Sequence, residues 1–109
     1  MVKFLLKKSY NRKDLKEKEF KDLWNAHGVF TTMWIYGKPQ KILFFKEHIR
    51  NLIKSTKNYK IYDRNLKRNI FKIIKSNLNN KKNYNHLLRI AVTKSLISIS
   101  LRDKLKIKK

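Results

Sequence analysis

The run Val29-Phe30-Thr31-Thr32-Met33-Trp34-Ile35-Tyr36 is followed by Gly37-Lys38-Pro39 and then by Ile42-Leu43-Phe44-Phe45. β-Branched and aromatic side chains crowd both flanks, a composition that suits a pleated, half-buried surface, and the glycine and proline between them interrupt any continuous element. The segment predicts strand, turn, strand. Beyond it the period changes. From Glu47 onward Ile49, Leu52, Ile53 and Thr56 recur at helical spacing, with Arg50, Lys54 and Lys57 on the other side. An amphipathic helix therefore comes directly after the second strand.

Working outward, Asp63 is placed as the N-cap of a second helix. Its apolar stripe of Leu66, Ile70, Ile73 and Ile74 lies opposite Arg64, Lys67, Arg68, Lys72 and Lys75, and that basic face reads most simply as solvated surface. Residues 77–85 form an Asn/Lys-rich connector. Then Leu88, Ile90 and Val92 alternate with Arg89, Ala91 and Thr93, and Ile97, Ile99 and Leu101 alternate with Ser98 and Ser100. Period-two alternation predicts a closing hairpin with the two serines on its wet face. Upstream, the stretch from Asp14 to Trp24 holds good helix formers and sets Phe20, Leu23 and Trp24 on one side, so a short helix is expected there. The order α, ββ, αα, ββ is that of an α+β fold: a small antiparallel sheet with two main helices packed on one face. Residues 1–27 form an N-terminal extension with the short helix, 28–102 the domain proper and 103–109 a basic tail.

With 109 residues, 41% hydrophobic and 12% aromatic, the chain has apolar material for one core and is long enough for one domain. Lys and Arg number 29 against 7 Asp and Glu, a net charge of +22. The cations are spread along the chain and rise together with Asn and Ile, residues that share A/T-rich codons. Compositional bias accounts for that pattern more simply than a dedicated nucleic-acid binder, which needs its cations on one face or groove. Contact with nucleic acid is expected to be non-specific and salt-sensitive. Cysteine is absent, which excludes disulfides, thiolate nucleophiles and cysteine metal sites. The apolar patch within Met1 to Lys8 is too short for a signal-peptide core or a membrane span. A soluble, cytoplasmic protein with no membrane partner is expected.

Few residues here carry chemistry of their own. His27, His48 and His86 are scattered, without the spacing of a metal site. Gly28 and Gly37 are the only glycines, so neither a Walker loop nor a dinucleotide fingerprint is present. The serines lack a nucleophile elbow. No catalytic residue and no metal ligand is assigned. His48 and Arg50 stand at a helix start, where free N–H groups and the helix dipole favour an anion, although cations near helix starts are common without one.

Taken together, Gly28 to Pro39, Leu43, and Glu47-His48-Ile49-Arg50-Asn51-Leu52-Ile53-Lys54-Ser55-Thr56 resemble the class IV aminotransferases. These pyridoxal-phosphate enzymes include branched-chain and D-amino-acid aminotransferases and aminodeoxychorismate lyase. In them a G-V-F/Y-E/T-T strand leads through a glycine turn into L-x-x-x-H-I-x-R-L-x-x-S-A. Leu87 to Lys94 is similar to a later family strand of the Y-x-R or V-T-R-G type. The resemblance is best over residues 28–61, weaker over 62–102 and poor before 22.

The resemblance implies the family's small α+β domain, pyridoxal phosphate as cofactor, and amino-acid transamination or lyase chemistry. The family's phosphate-holding arginine falls on Asn51, and Arg50 and Lys54 are the neighbouring cations that stand in for it, so Arg50, Asn51 and Lys54 are the implied cofactor contacts. Phe30 matches an aromatic of the substrate pocket, Thr31-Thr32 is closer to the lyase branch, and Arg89 matches a substrate-side arginine. Phe30, Thr32 and Arg89 are thus the implied substrate contacts. The plain alternatives are that Phe30 is an inward strand residue, Arg89 a solvated cation and His48 a residue that caps or packs the helix start. Asn25-Ala26-His27-Gly28 replaces the usual G-D-G, and the Schiff-base lysine, the pyridine-binding glutamate and the E-x-x-x-S-N run have no counterpart in this sequence. The implied protein is a truncated or split small domain, inactive alone, partnered by a chain carrying the catalytic domain or by a second copy as in the family; a decayed remnant fits equally. The competing reading is a basic nucleic-acid-binding or interaction module that uses the cationic faces of the two helices.

Overall fold

The structure is a computed structural model describing residues 4–21, 23 and 27–103. Its elements are β1 (Phe4–Asn11), β2 (Glu17–Lys18), β3 (Gly28–Gly37), β4 (Lys41–Ile42), α1 (Phe45–Asn58), α2 (Leu66–Asn77), β5 (Tyr84–Thr93) and β6 (Leu96–Asp103). The strands make one six-stranded sheet in the order β2-β1-β6-β5-β3-β4, antiparallel at every pairing. This is the α+β fold that the sequence predicts.

Alternation along the strands decides which side is core. Met33 pairs with Leu88, which pairs with Leu101; Val29 pairs with Val92, which pairs with Ile97. Against these rows pack Ile49 and Leu52 of α1 and Leu66, Ile70 and Ile73 of α2, all buried. Each such side chain contributes about 1.5–3 kcal/mol by leaving water, so both helices are held to one face chiefly by their apolar stripes. Their ends add little, since neither helix has a side-chain cap.

Two glycines meet local demands. Gly37 ends β3 with φ at 85°, a left-handed conformation that an L side chain resists. Gly28 lies so close to β5 that a Cβ there would collide with the Val92 carbonyl oxygen.

The short helix expected between Asp14 and Trp24 is not formed by the described residues. Glu17–Lys18 is instead the edge strand β2, with Ser9 opposite Lys18 and Tyr10 opposite Glu17. Backbone bonds from Asn11 N–H to the Lys16 carbonyl and from Leu15 N–H to the Asn11 carbonyl close the turn. Leu15 and Leu23 have φ of 58° and 66°, outside the right-handed helical region; Asp22 and Trp24 lie outside the described residues. Phe4–Asn11, read from sequence as extension, pairs along its length with β6. Two smaller differences concern element ends. Asp63 does not cap α2: Asn65 occupies the N-cap, and Asp63 instead accepts the Asn65 N–H at 2.8 Å. The second strand of the first hairpin stops at Ile42, and Phe45 already belongs to α1.

Candidate functional site

Because successive side chains of a strand point to opposite faces, β3 sends Thr31, Met33 and Ile35 toward the helices and Phe30 and Thr32 to the other side. On β5, Arg89 lies directly opposite Thr32, and Ala91 opposite Phe30. Phe30 and Arg89 are therefore diagonal neighbours, and the guanidinium carbon stands 4.8 Å from the Phe30 ring centroid. Arg89 is only 7% exposed while Phe30 is 52% exposed. A cation over an aromatic face is worth about 0.5–2 kcal/mol, more as water is removed. Beside the pair is a cavity of about 90 Å³ whose walls include Leu23, Gly28, Phe30, Arg89 and Thr93. The three residues implied as substrate contacts thus share one face and one neighbourhood.

Farther along the same face, Trp34 and Tyr36 lie 4.4 Å apart by ring centroids, and Trp34 Nε1 donates to Asn85 Oδ1 at 2.9 Å. Toward the sheet's other edge the face is covered. Ser9 and Ser98 hydroxyls meet at 2.6 Å, Ser98 Oγ donates to the Lys21 carbonyl at 2.7 Å, and the Lys21 N–H donates to Ser9 Oγ at 2.8 Å. Ser98 and Ser100 are buried, not on a wet face as their alternation suggested, and the Lys21 backbone covers Ser98. Each buried hydroxyl of the Ser9–Ser98 pair is satisfied, which avoids the cost of an unpaired polar group.

The implied cofactor contacts lie elsewhere. His48 Nδ1 and Thr31 Oγ1 are 2.9 Å apart, a bond that ties the first turn of α1 to the helix-facing side of β3. With about 3.6 residues per turn, Arg50 and Lys54 project from the side of α1 opposite His48. Both line a groove of about 790 Å³ between α1 and α2, floored by Phe45, Ile49, Ile53 and Phe71. Asn51 is exposed on α1 and is not part of that groove's lining. The sheet and the helix layer stand between Arg50 or Lys54 and the Phe30–Arg89 pair, so these residues do not make one cradle for pyridoxal phosphate.

Sequence reasoning missed two residues. Arg12 is buried, donating through Nη1 to the Thr93 carbonyl at 2.7 Å and through Nη2 to Asp63 Oδ2 at 2.8 Å. Nothing local marks it among so many cations. Phe71 is 40% exposed on the basic side of α2, with Lys67 Nζ 5.8 Å from its ring centroid. Its signal was an aromatic lying off the apolar stripe. Among the described residues no group of three or more His, Asp or Glu could hold a metal ion, and no helix is long and apolar enough to cross a membrane. No family model, curated protein or solved structure matches the chain.

Proposed function

We propose that this chain, with β1 and β2 as part of its sheet, is the substrate-facing small domain of an enzyme resembling the class IV pyridoxal-phosphate aminotransferases and lyases, acting in the cytoplasm beside a lysine-bearing domain that holds the cofactor. The observation that carries this reading is the grouping of Phe30, Thr32 and Arg89 on one sheet face, with Arg89 buried against the half-exposed Phe30. A guanidinium keeps its charge at any working pH and suits a carboxylate. The substrate class that the resemblance implies, an amino acid or its 2-oxo acid, carries such a carboxylate, with Phe30 as an apolar wall and the Thr32 hydroxyl as a polar neighbour.

Pyridoxal phosphate supplies an electron sink when bound, but the geometry of α1 does not fit that cofactor here. Arg50 and Lys54 face α2, and the neutral amide of Asn51 cannot replace an arginine clamp. No cofactor step is assigned to this chain. What its residues do in this reading is attract and orient the substrate carboxylate and close one wall of the cleft against water.

Complementation tests it. The chain is mixed with pyridoxal phosphate and the separately expressed large domain of a class IV aminotransferase, and association and the visible absorption of protein-bound cofactor are followed. The expected result is association, with a band that responds to added amino acid and loses that response in Arg89→Ala. A folded chain that neither associates nor alters the spectrum overturns the reading.

A further inference from the structure

The outer side of the helix layer carries a second feature, independent of the Arg89 face. Phe45 of α1 and Phe71 of α2 approach with ring centroids 5.6 Å apart. Together they join the 790 Å³ groove to a second one of about 780 Å³, whose apolar wall is Ile42, Phe45, Phe71, Ile74 and Leu78. The result is a continuous apolar trench from Ile53 to Leu78. Lys46, Arg50, Lys54 and Lys57 line it from α1, and Lys67 and Lys75 from α2. Among the described residues no carboxylate lines either half.

We infer that this trench is a docking site for an amphipathic α-helix of another protein, with apolar anchors on one side and carboxylates along both flanks. An apolar floor left in water is costly, and exposed apolar patches of this kind mark sites of association. A helix laid in a groove buries residues at i, i+3, i+4 and i+7, which suits a floor running between two helices. The sign of the rim selects among occupants. A second copy at +22 would set cations against cations, and the lysine-rich segment 104–109 has the same sign. Nucleic acid would meet the cations but leave Ile53, Ile74 and Leu78 without a use, since its phosphates cover no aliphatic floor. A bilayer is flat where the trench is concave. Carboxylate flanks satisfy the rim, and apolar anchors satisfy the floor.

The two contributions separate by salt. Exposed ion pairs at the rim are screened over roughly 8–10 Å at physiological ionic strength, whereas burial of the floor is not. Affinity should fall with salt and remain measurable at physiological salt.

The test is fluorescence anisotropy with a labelled synthetic helix bearing leucine at i, i+3, i+4 and i+7 and glutamate on both flanks. The comparison ligands are the same peptide with lysine for glutamate, single-stranded RNA, and phosphatidylglycerol vesicles. The acidic peptide is expected to bind saturably at physiological salt, and the lysine peptide not to bind. Phe71→Ala and the pair Lys54→Glu with Lys67→Glu, all exposed positions, should each weaken binding about tenfold, with circular dichroism unchanged. Absence of binding by the acidic peptide overturns the inference. So does binding indifferent to these substitutions, or RNA or vesicles binding through the same residues more tightly than the peptide.

Discussion

Arg12 and Asp63 form an ion pair of 2.8 Å in which the arginine side chain is 7% exposed and the aspartate 52%. The same guanidinium donates to the Thr93 carbonyl. One side chain thus fastens the turn after β1 to the approach of α2 and to the β5–β6 hairpin. Such asymmetry predicts unequal penalties. Arg12→Ala removes both bonds and should cost at least about 1.5–3 kcal/mol, the range for a single hydrogen bond to a charged group. Asp63→Asn leaves the Thr93 bond and a half-exposed neutral acceptor, so its cost should stay near ~1 kcal/mol. Urea denaturation of the two variants checks the ranking, and equal losses would show that the Thr93 bond contributes nothing.

A Cβ on Gly28 of β3 would collide with the Val92 carbonyl oxygen of β5. Gly28→Ala ought to separate the two strands at their paired end, where Gly28 is opposite Thr93. Overpacking of this kind costs about 1–3 kcal/mol, and backbone rather than a flexible side chain must move. Thermal melting measures the loss. Amide exchange should locate it, with faster exchange near Gly28 and Thr93 than at Tyr36 and Asn85 on the same ladder.

Ile90 is fully buried between Thr31 and Ile99 on the central strands. Ile90→Ala should destabilise by about 2–5 kcal/mol, the sum of lost transfer and a residual cavity. Ile90→Val should cost about 0.5–1.5 kcal/mol. A loss in the alanine variant no larger than in the valine variant would place Ile90 outside the tightly packed centre.

How much of this was legible beforehand depends on how local each determinant is. The β3–β4–α1 unit was readable because β-branched and aromatic residues crowd positions 29–36, Gly37 and Pro39 break the run, and a 3.6-residue period follows from Glu47, and the β5–β6 hairpin because Leu88, Ile90 and Val92, then Ile97, Ile99 and Leu101, alternate along each strand. β1 was not readable, since its partner β6 lies at the other end of the chain and Lys7 and Lys8 disguise the alternation. The helix formers of 14–21 lost to the pairing of β2 with β1, which left-handed Leu15 makes possible. At the site, residue types suggested Phe30, Thr32 and Arg89 separately, but only the register sets Thr32 against Arg89. The burial of Ser98 was invisible because its cover, the Lys21 backbone, is distant in sequence.

The net charge of +22 sets a last expectation. Among the described residues only three ion pairs form, and one of them involves His86, so most cations repel one another without local compensation. Self-repulsion destabilises a compact state, and the Debye length shrinks from about 30 Å at 0.01 M to about 8 Å at 0.15 M salt. Raising NaCl from low to physiological concentration should therefore raise the melting temperature. The Arg12–Asp63 pair is weakened by the same screening, but it is one attraction set against many repulsions, and its arginine is buried. Melting curves for the wild type and Arg12→Ala at the two salt concentrations separate the effects: both should gain stability with salt, the variant by at least as much. A melting temperature that falls as salt is added would mean that attractive pairs, and not the uncompensated cations, dominate the electrostatics of the fold.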